Sequence, residues 1–84
     1  ANFHCFVVTD PTKPEELEDV RHITHEITMK MIEMGGTCTG EHGIGSGKIQ
    51  ALIEETGAPA VNIMRSIKQT LDPNNILNPG KVFN

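Results

Sequence analysis

With 84 residues, two cysteines, three aromatic side chains and a net charge of −4, the chain has material for one lean domain at most. Scattered basic residues without an aromatic stacking surface argue against nucleic-acid binding, and no apolar run approaches the roughly 20 residues that cross a bilayer. The opening ANFHCFVVTDP has no charged region ahead of a long apolar stretch, so it does not read as a signal peptide.

Residues 3–9 (FHCFVVT) are aromatic and β-branched, the composition of a strand. Alternation puts Phe3, Cys5 and Val7 on one side and His4, Phe6 and Val8 on the other. Both sides are largely apolar, as in a central strand covered on both faces. Asp10-Pro11 ends it. Thr12-Lys13-Pro14-Glu15 then reads as a helix start, with Thr12 as the cap, Glu15 at the capping-box position and Pro14 in the first turn. Leu17, Val20, Thr24, Ile27, Met31 and Met34 recur at spacings of three and four, one face of a long helix ending near Gly35-Gly36. Met29 and Ile32 form a second apolar strip, which predicts a helix between two layers that so short a chain hardly supplies.

A glycine-rich loop follows, Gly36 to Gly47. Residues 48–56 predict a second helix with Ile49, Leu52 and Ile53 inward and Gly57 as its C-cap. Pro59 opens a third, whose apolar face is Val61, Met64, Ile67 and Leu71, and Asp72-Pro73 stops it. Pro79-Gly80 occupies the central positions of a type II turn. The expected fold class is α+β: a short N-terminal strand, a long helix, a glycine-rich loop and two further helices. Residues 1–84 are read as one partial domain of a larger protein. Cys5 and Cys38 show no C-x-x-C spacing and read as reduced, buried thiols of an intracellular protein.

The stretch that can carry chemistry runs from Gly36 to Lys48, with Glu41-His42 inside it. A phosphate loop does not fit. His42 stands where that motif needs its first glycine, and Ile49 where it needs Ser or Thr. Gly43-x-Gly45-x-Gly47 also lacks the spacing of a dinucleotide fingerprint. Two readings remain open on residues alone: a flexible surface loop, and an active-site loop presenting Glu41 and His42. His22 and His25 fall away from the main helical stripe and read as a solvated face. Cys38 reads as a small buried residue rather than a reactive thiol.

The block GTCTGEHGIG over residues 36–45, followed by Gly47-Lys48, resembles the C-terminal signature of FAD-linked 2-hydroxyacid dehydrogenases of the vanillyl-alcohol oxidase superfamily. The tail Leu71-Asp72-Pro73 with Ile76-Leu77-Asn78-Pro79-Gly80-Lys81-Val82-Phe83 is similar to the end of the same family. Asn2-Phe3-His4 resembles the close of its upstream H-x-G-D-G-N-x-H motif. The first histidine of that motif lies ahead of this chain, and Ala1 stands where the family has glycine. Asn-Phe-His-Cys and the Thr-Cys-Thr before Glu-His look most like the cytochrome-linked D-lactate dehydrogenases.

The resemblance implies a parent that oxidises a D-2-hydroxy acid, D-lactate to pyruvate, with FAD as cofactor and a divalent metal, Zn or Mn. It implies His4 and Glu41 as metal ligands, His42 as the general base and Asn78 as a residue near the flavin. Glycolate oxidase and D-2-hydroxyglutarate dehydrogenase are the alternatives within the family. A small non-enzymatic binding module is the alternative outside it. The implied partners are a small 2-hydroxy acid and the remainder of the parent. The isolated chain is expected to be inactive and to self-associate. The implied compartment is intracellular: mitochondrial in a eukaryote, cytoplasmic or membrane-associated in a bacterium.

The chemistry is coherent on physical grounds. A metal held by His and carboxylate polarises the substrate hydroxyl. A neutral imidazole, with an ordinary value of about 6.5, accepts its proton near neutral pH. The hydride needs an electron sink that no side chain provides, so a flavin is required. A strand-like loop is expected to send Glu41 toward the metal and His42 toward the substrate.

Overall fold

The computed structural model describes residues 1–83, in which three helices form: α1 (Pro14–Glu33), α2 (Ile49–Thr56) and α3 (Ala58–Leu71). Among the described residues there is no strand, so the architecture is all-α and the expected α+β class does not hold. The reason is non-local. A strand needs a neighbour to take its backbone hydrogen bonds, and among the described residues no segment pairs with this one. Residues 1–8 are accordingly exposed, with Phe6 and Val8 almost fully in solvent. The expected alternation survives locally, for His4 and Phe6 share a side with their rings stacked at 6.2 Å.

α1 begins one residue later than its sequence signal. Asp10 Oδ1 accepts hydrogen bonds from the Thr12 amide at 2.9 Å and its hydroxyl at 2.7 Å, forming a local turn. That engages the hydroxyl expected to cap the helix, and Lys13 takes the cap position with no side-chain bond. Glu16, rather than Glu15, reaches back, its Oε2 accepting the Asp10 amide at 3.0 Å. The far end closes as expected. Gly35 is left-handed (φ 84), its amide donates to Ile32 O at 3.0 Å, and the Gly36 amide donates to Met31 O at 2.8 Å. These are the two bonds of a Schellman motif, and the first residue past the cap must tolerate positive φ.

No residue of α1 is buried. Val20, Ile27 and Met31 of its apolar face are half-covered, while Met34 is 72% exposed. The helix carries solvent-facing pairs, among them Arg21–Glu18 at 3.2 Å and Lys30–Glu33 at 2.9 Å. Such pairs contribute only a few tenths of a kcal/mol each. Tertiary burial, the usual source of helix stability, is therefore mostly lacking here.

The packed part lies where α2 meets α3. Leu52 and Val61 are buried there, Ile49, Ile53 and Met64 half-buried, and Gly57 (φ 84) turns one helix into the next. Ile67 and Leu71, expected on the same inward face, are 57% and 77% exposed, so no described residue covers them fully. At the end of α3 the buried Asp72 carboxylate accepts Lys68 Nζ and the amides of Ile76 at 3.1 Å and Leu77 at 2.9 Å. These bonds hold its carboxyl below the usual 3.8. The following turn is the expected one: the Lys81 amide donates to Asn78 O, with Gly80 left-handed (φ 74).

The surface totals 6503 Å² and the radius of gyration is 15.1 Å. A self-contained monomer of this size exposes about 4,900 Å² with a radius near 12 Å. Large apolar side chains are among those left exposed: Ile23 and Met34 on α1, Ile63, Ile67 and Leu71 on α3, and Ile76 and Leu77 beyond it. No helix is long and apolar enough to cross a membrane among the described residues.

Candidate metal centre

Glu41 and His42 occupy the two central positions of a tight turn closed by the Gly43 amide, which donates to Gly40 O at 3.4 Å. Gly43 (φ 71) and Gly45 (φ 54) reverse the chain immediately afterwards, in the left-handed region that glycine enters without strain. Gly40 lies directly under the N-terminal segment. A Cβ there would sit 2.6 Å from Asn2 Oδ1, so the missing side chain is what lets residues 2–4 approach the turn.

This approach brings His4 to Glu41. His4 Nε2 stands 3.1 Å from Glu41 Oε1, and His42 Nε2 stands 3.5 Å from the same oxygen. The two imidazoles meet edge-on, centroids 5.4 Å apart. One ligand atom from each of the three residues falls within 4.8 Å of the others. The turn differs from the strand-like loop expected from sequence. Adjacent residues at a corner converge here, and His42 reaches the same point as Glu41 instead of facing away.

Two imidazoles and a carboxylate form a donor set suited to Zn²⁺ or Mn²⁺. Donors around a four-coordinate ion with bonds of about 2.1 Å lie about 3.4 Å apart. The two separations from Glu41 meet that requirement. The side chains are 43%, 64% and 73% exposed for His4, Glu41 and His42, which leaves room for a further, exogenous ligand. Asn78 opens the Pro79-Gly80 turn with φ 45 and is exposed. His22 pairs with Glu26 at 3.4 Å on the solvated face of α1, as expected.

Glu55 is the residue that sequence reasoning missed. Its Oε2 accepts the Cys38 amide at 2.8 Å and Thr37 Oγ1 at 3.1 Å, fastening the start of the loop to α2. These bonds hold its carboxyl below the usual 4.5. Cys38 is buried, as expected, and burial with the neighbouring carboxylate pushes its thiol up to about 11. Cys5, expected to be buried, is exposed along with the rest of its segment. A seventeen-residue separation hides the Glu55 contact in sequence, where Glu54-Glu55 looks like any helical acidic pair.

Residues 1–82 match the family of FAD linked oxidases, C-terminal domain. The chain is 48% identical over 82 residues to a probable mitochondrial D-lactate dehydrogenase of Danio rerio, covering 98% of this chain and 16% of that protein. It is 44% identical to the mitochondrial D-lactate dehydrogenase (cytochrome) of Arabidopsis thaliana, covering 98% of this chain and 14% of the relative. It is 43% identical to the glycolate oxidase subunit GlcD of Bacillus subtilis, covering 98% and 17% respectively. The chain thus spans about a sixth of the length of the curated relatives it matches. The chain therefore belongs to the family of FAD linked oxidases, C-terminal domain.

Proposed function

We propose that the parent enzyme oxidises a D-2-hydroxy acid, with D-lactate going to pyruvate, and that His4, Glu41 and His42 form its metal and proton-transfer site. The observation that carries the reading is the convergence of one carboxylate and two imidazoles within 4.8 Å on a glycine-hinged turn. His4 and Glu41 would hold a divalent ion, Zn or Mn, which lowers the pKa of a hydroxyl brought to it. His42, open to solvent and fixed beside Glu41, accepts the hydroxyl proton at a ring nitrogen. FAD, when bound, supplies the electron sink that these side chains lack. Asn78 is assigned to the flavin's surroundings on family resemblance alone. The 2-hydroxy acid is the substrate, and the remainder of the parent supplies the rest of the flavin and substrate sites.

Similarity to proteins named D-lactate dehydrogenase favours lactate, and similarity to a glycolate oxidase subunit keeps glycolate as the alternative. D-2-hydroxyglutarate is the third acid to compare. The relatives named mitochondrial support a mitochondrial parent in a eukaryote. Anaerobic mixing of the full-length enzyme with each acid tests the proposal. D-lactate is expected to bleach the flavin fastest, and no reduction by any of the three removes the reading.

The position of His42 favours a second assignment, as a third ligand rather than the base, because its nitrogen lies in the same cluster. Metal content of a His42→Gln enzyme separates the two. A base is replaced with loss of turnover and retention of metal, whereas a ligand is replaced with loss of both.

A further inference from the structure

Hydrogen bonds run in series from α2 to the turn that carries Glu41 and His42. Glu55 Oε2 accepts the proton of Thr37 Oγ1 at 3.1 Å, and that same hydroxyl oxygen accepts the Thr39 amide at 3.4 Å. Thr39 Oγ1 donates to Gly40 O at 3.2 Å, the carbonyl that also receives the Gly43 amide and closes the turn. Each hydroxyl has one proton to give: Thr37 gives its proton to the Glu55 carboxylate and Thr39 to the Gly40 carbonyl, and the Thr39 amide joins the two. On the far side, the Val82 amide donates to Gly45 O at 2.7 Å, securing the loop's exit to the C-terminal tail.

Apart from the Lys48 amide, which donates to Ile44 O at 3.2 Å, little else restrains this loop. Of residues 36–47 only Cys38 is buried, and two glycines adopt left-handed angles that many other conformations rival. A site of three converging side chains tolerates about 0.5 Å of disorder before its geometry is lost. Hydrogen bonds to an ionised carboxylate are roughly twice as strong as neutral ones, and Glu55 makes two of them at the loop's entrance.

We propose that Glu55 is a positioning residue for the Glu41–His42 turn, acting through Thr37 and Thr39. The proposal rests on the reading of the trio as the metal and proton-transfer site. Glu55 touches none of the three side chains. It determines how often they stand together, by holding the backbone from which two of them project.

The test uses the full-length enzyme, with Mn²⁺ affinity followed by electron paramagnetic resonance and amide exchange of residues 37–45 followed in the metal-free protein. Glu55→Gln and Thr37→Val should each weaken Mn²⁺ binding about tenfold and speed exchange in that segment, with flavin content unchanged. Thr37→Ser keeps the hydroxyl and should hold both readouts at the wild-type level. Val matches Thr in volume, so a role in packing alone predicts the reverse ranking, and that ranking overturns the proposal. Unchanged exchange in Glu55→Gln and Thr37→Val overturns it as well. Glu41→Gln serves as the control on the underlying reading. If it binds Mn²⁺ as tightly as wild type, the trio assignment falls, while the exchange ranking still decides whether Glu55 holds the turn.

Discussion

Alkylation across a pH range probes how the loop sits on α2. Cys38 is 6% exposed, and burial, then the Glu55 carboxylate, push its thiol from the ordinary 9.0 to about 11. At pH 8 a thiol titrating at 9.0 is about 9% thiolate, whereas one at 11 is about 0.1%, a near hundredfold loss of the reactive form. Restricted access slows the reagent further. The assay is iodoacetamide labelling of the full-length enzyme, with the Cys38 peptide quantified by mass spectrometry at half-unit steps from neutral pH upward. The rate should climb about tenfold per pH unit past 9 and bend only near 11. Glu55→Gln removes the negative neighbour and moves the bend down. A plateau near pH 9, or a bend that Glu55→Gln leaves in place, refutes the account of this contact. With its folded value raised, Cys38 contributes stability in full below pH 9.0, and that contribution is lost as pH rises through about 11.

Gly35→Ala should cost about 1 kcal/mol in thermal denaturation of the enzyme, from backbone strain alone, since no atom stands within 4 Å of the added Cβ. Gly36→Ala should cost more, because its Cβ would come 2.9 Å from the Met31 carbonyl oxygen. The carboxyls of Glu55 and Asp72 are held below their ordinary 4.5 and 3.8, so their stabilisation is present above those values and lost as pH falls through the lower folded ones. Acid should therefore release the amides of Cys38, Ile76 and Leu77 in hydrogen exchange beyond the intrinsic pH dependence. The isolated chain, with so much apolar surface uncovered, should self-associate with concentration in sedimentation. It should also lack the cooperative heat absorption of about 60 kcal/mol expected of an independent domain this long.

Local signals in the sequence translated well and non-local ones did not. The period of apolar residues located all three helices, and Gly35, Gly57 and Pro79-Gly80 marked their turns, because each depends on residues within a few positions. Thr12 misled as a cap because Asp10, two residues back, competes for its hydroxyl. Residues 3–9 misled as a strand because strand formation is decided by a partner, and composition does not reveal whether one exists. His4, Glu41 and His42 were legible as chemistry through their motifs. The family resemblance also led to the expectation that they meet around one ion; how they meet was not legible, since it depends on a tight turn at Glu41-His42 and on the absent Cβ of Gly40. Glu55 gave no signal because its partners are seventeen and eighteen residues away.

A diffraction experiment on the intact enzyme loaded with Mn²⁺, using anomalous scattering to locate the ion, tests the account's centre most directly. The expected peak lies about 2.2 Å from a His4 ring nitrogen and a Glu41 carboxylate oxygen, with the His42 imidazole alongside. An ion ligated without either of those two residues, or His4 and Glu41 held too far apart to share one, contradicts it.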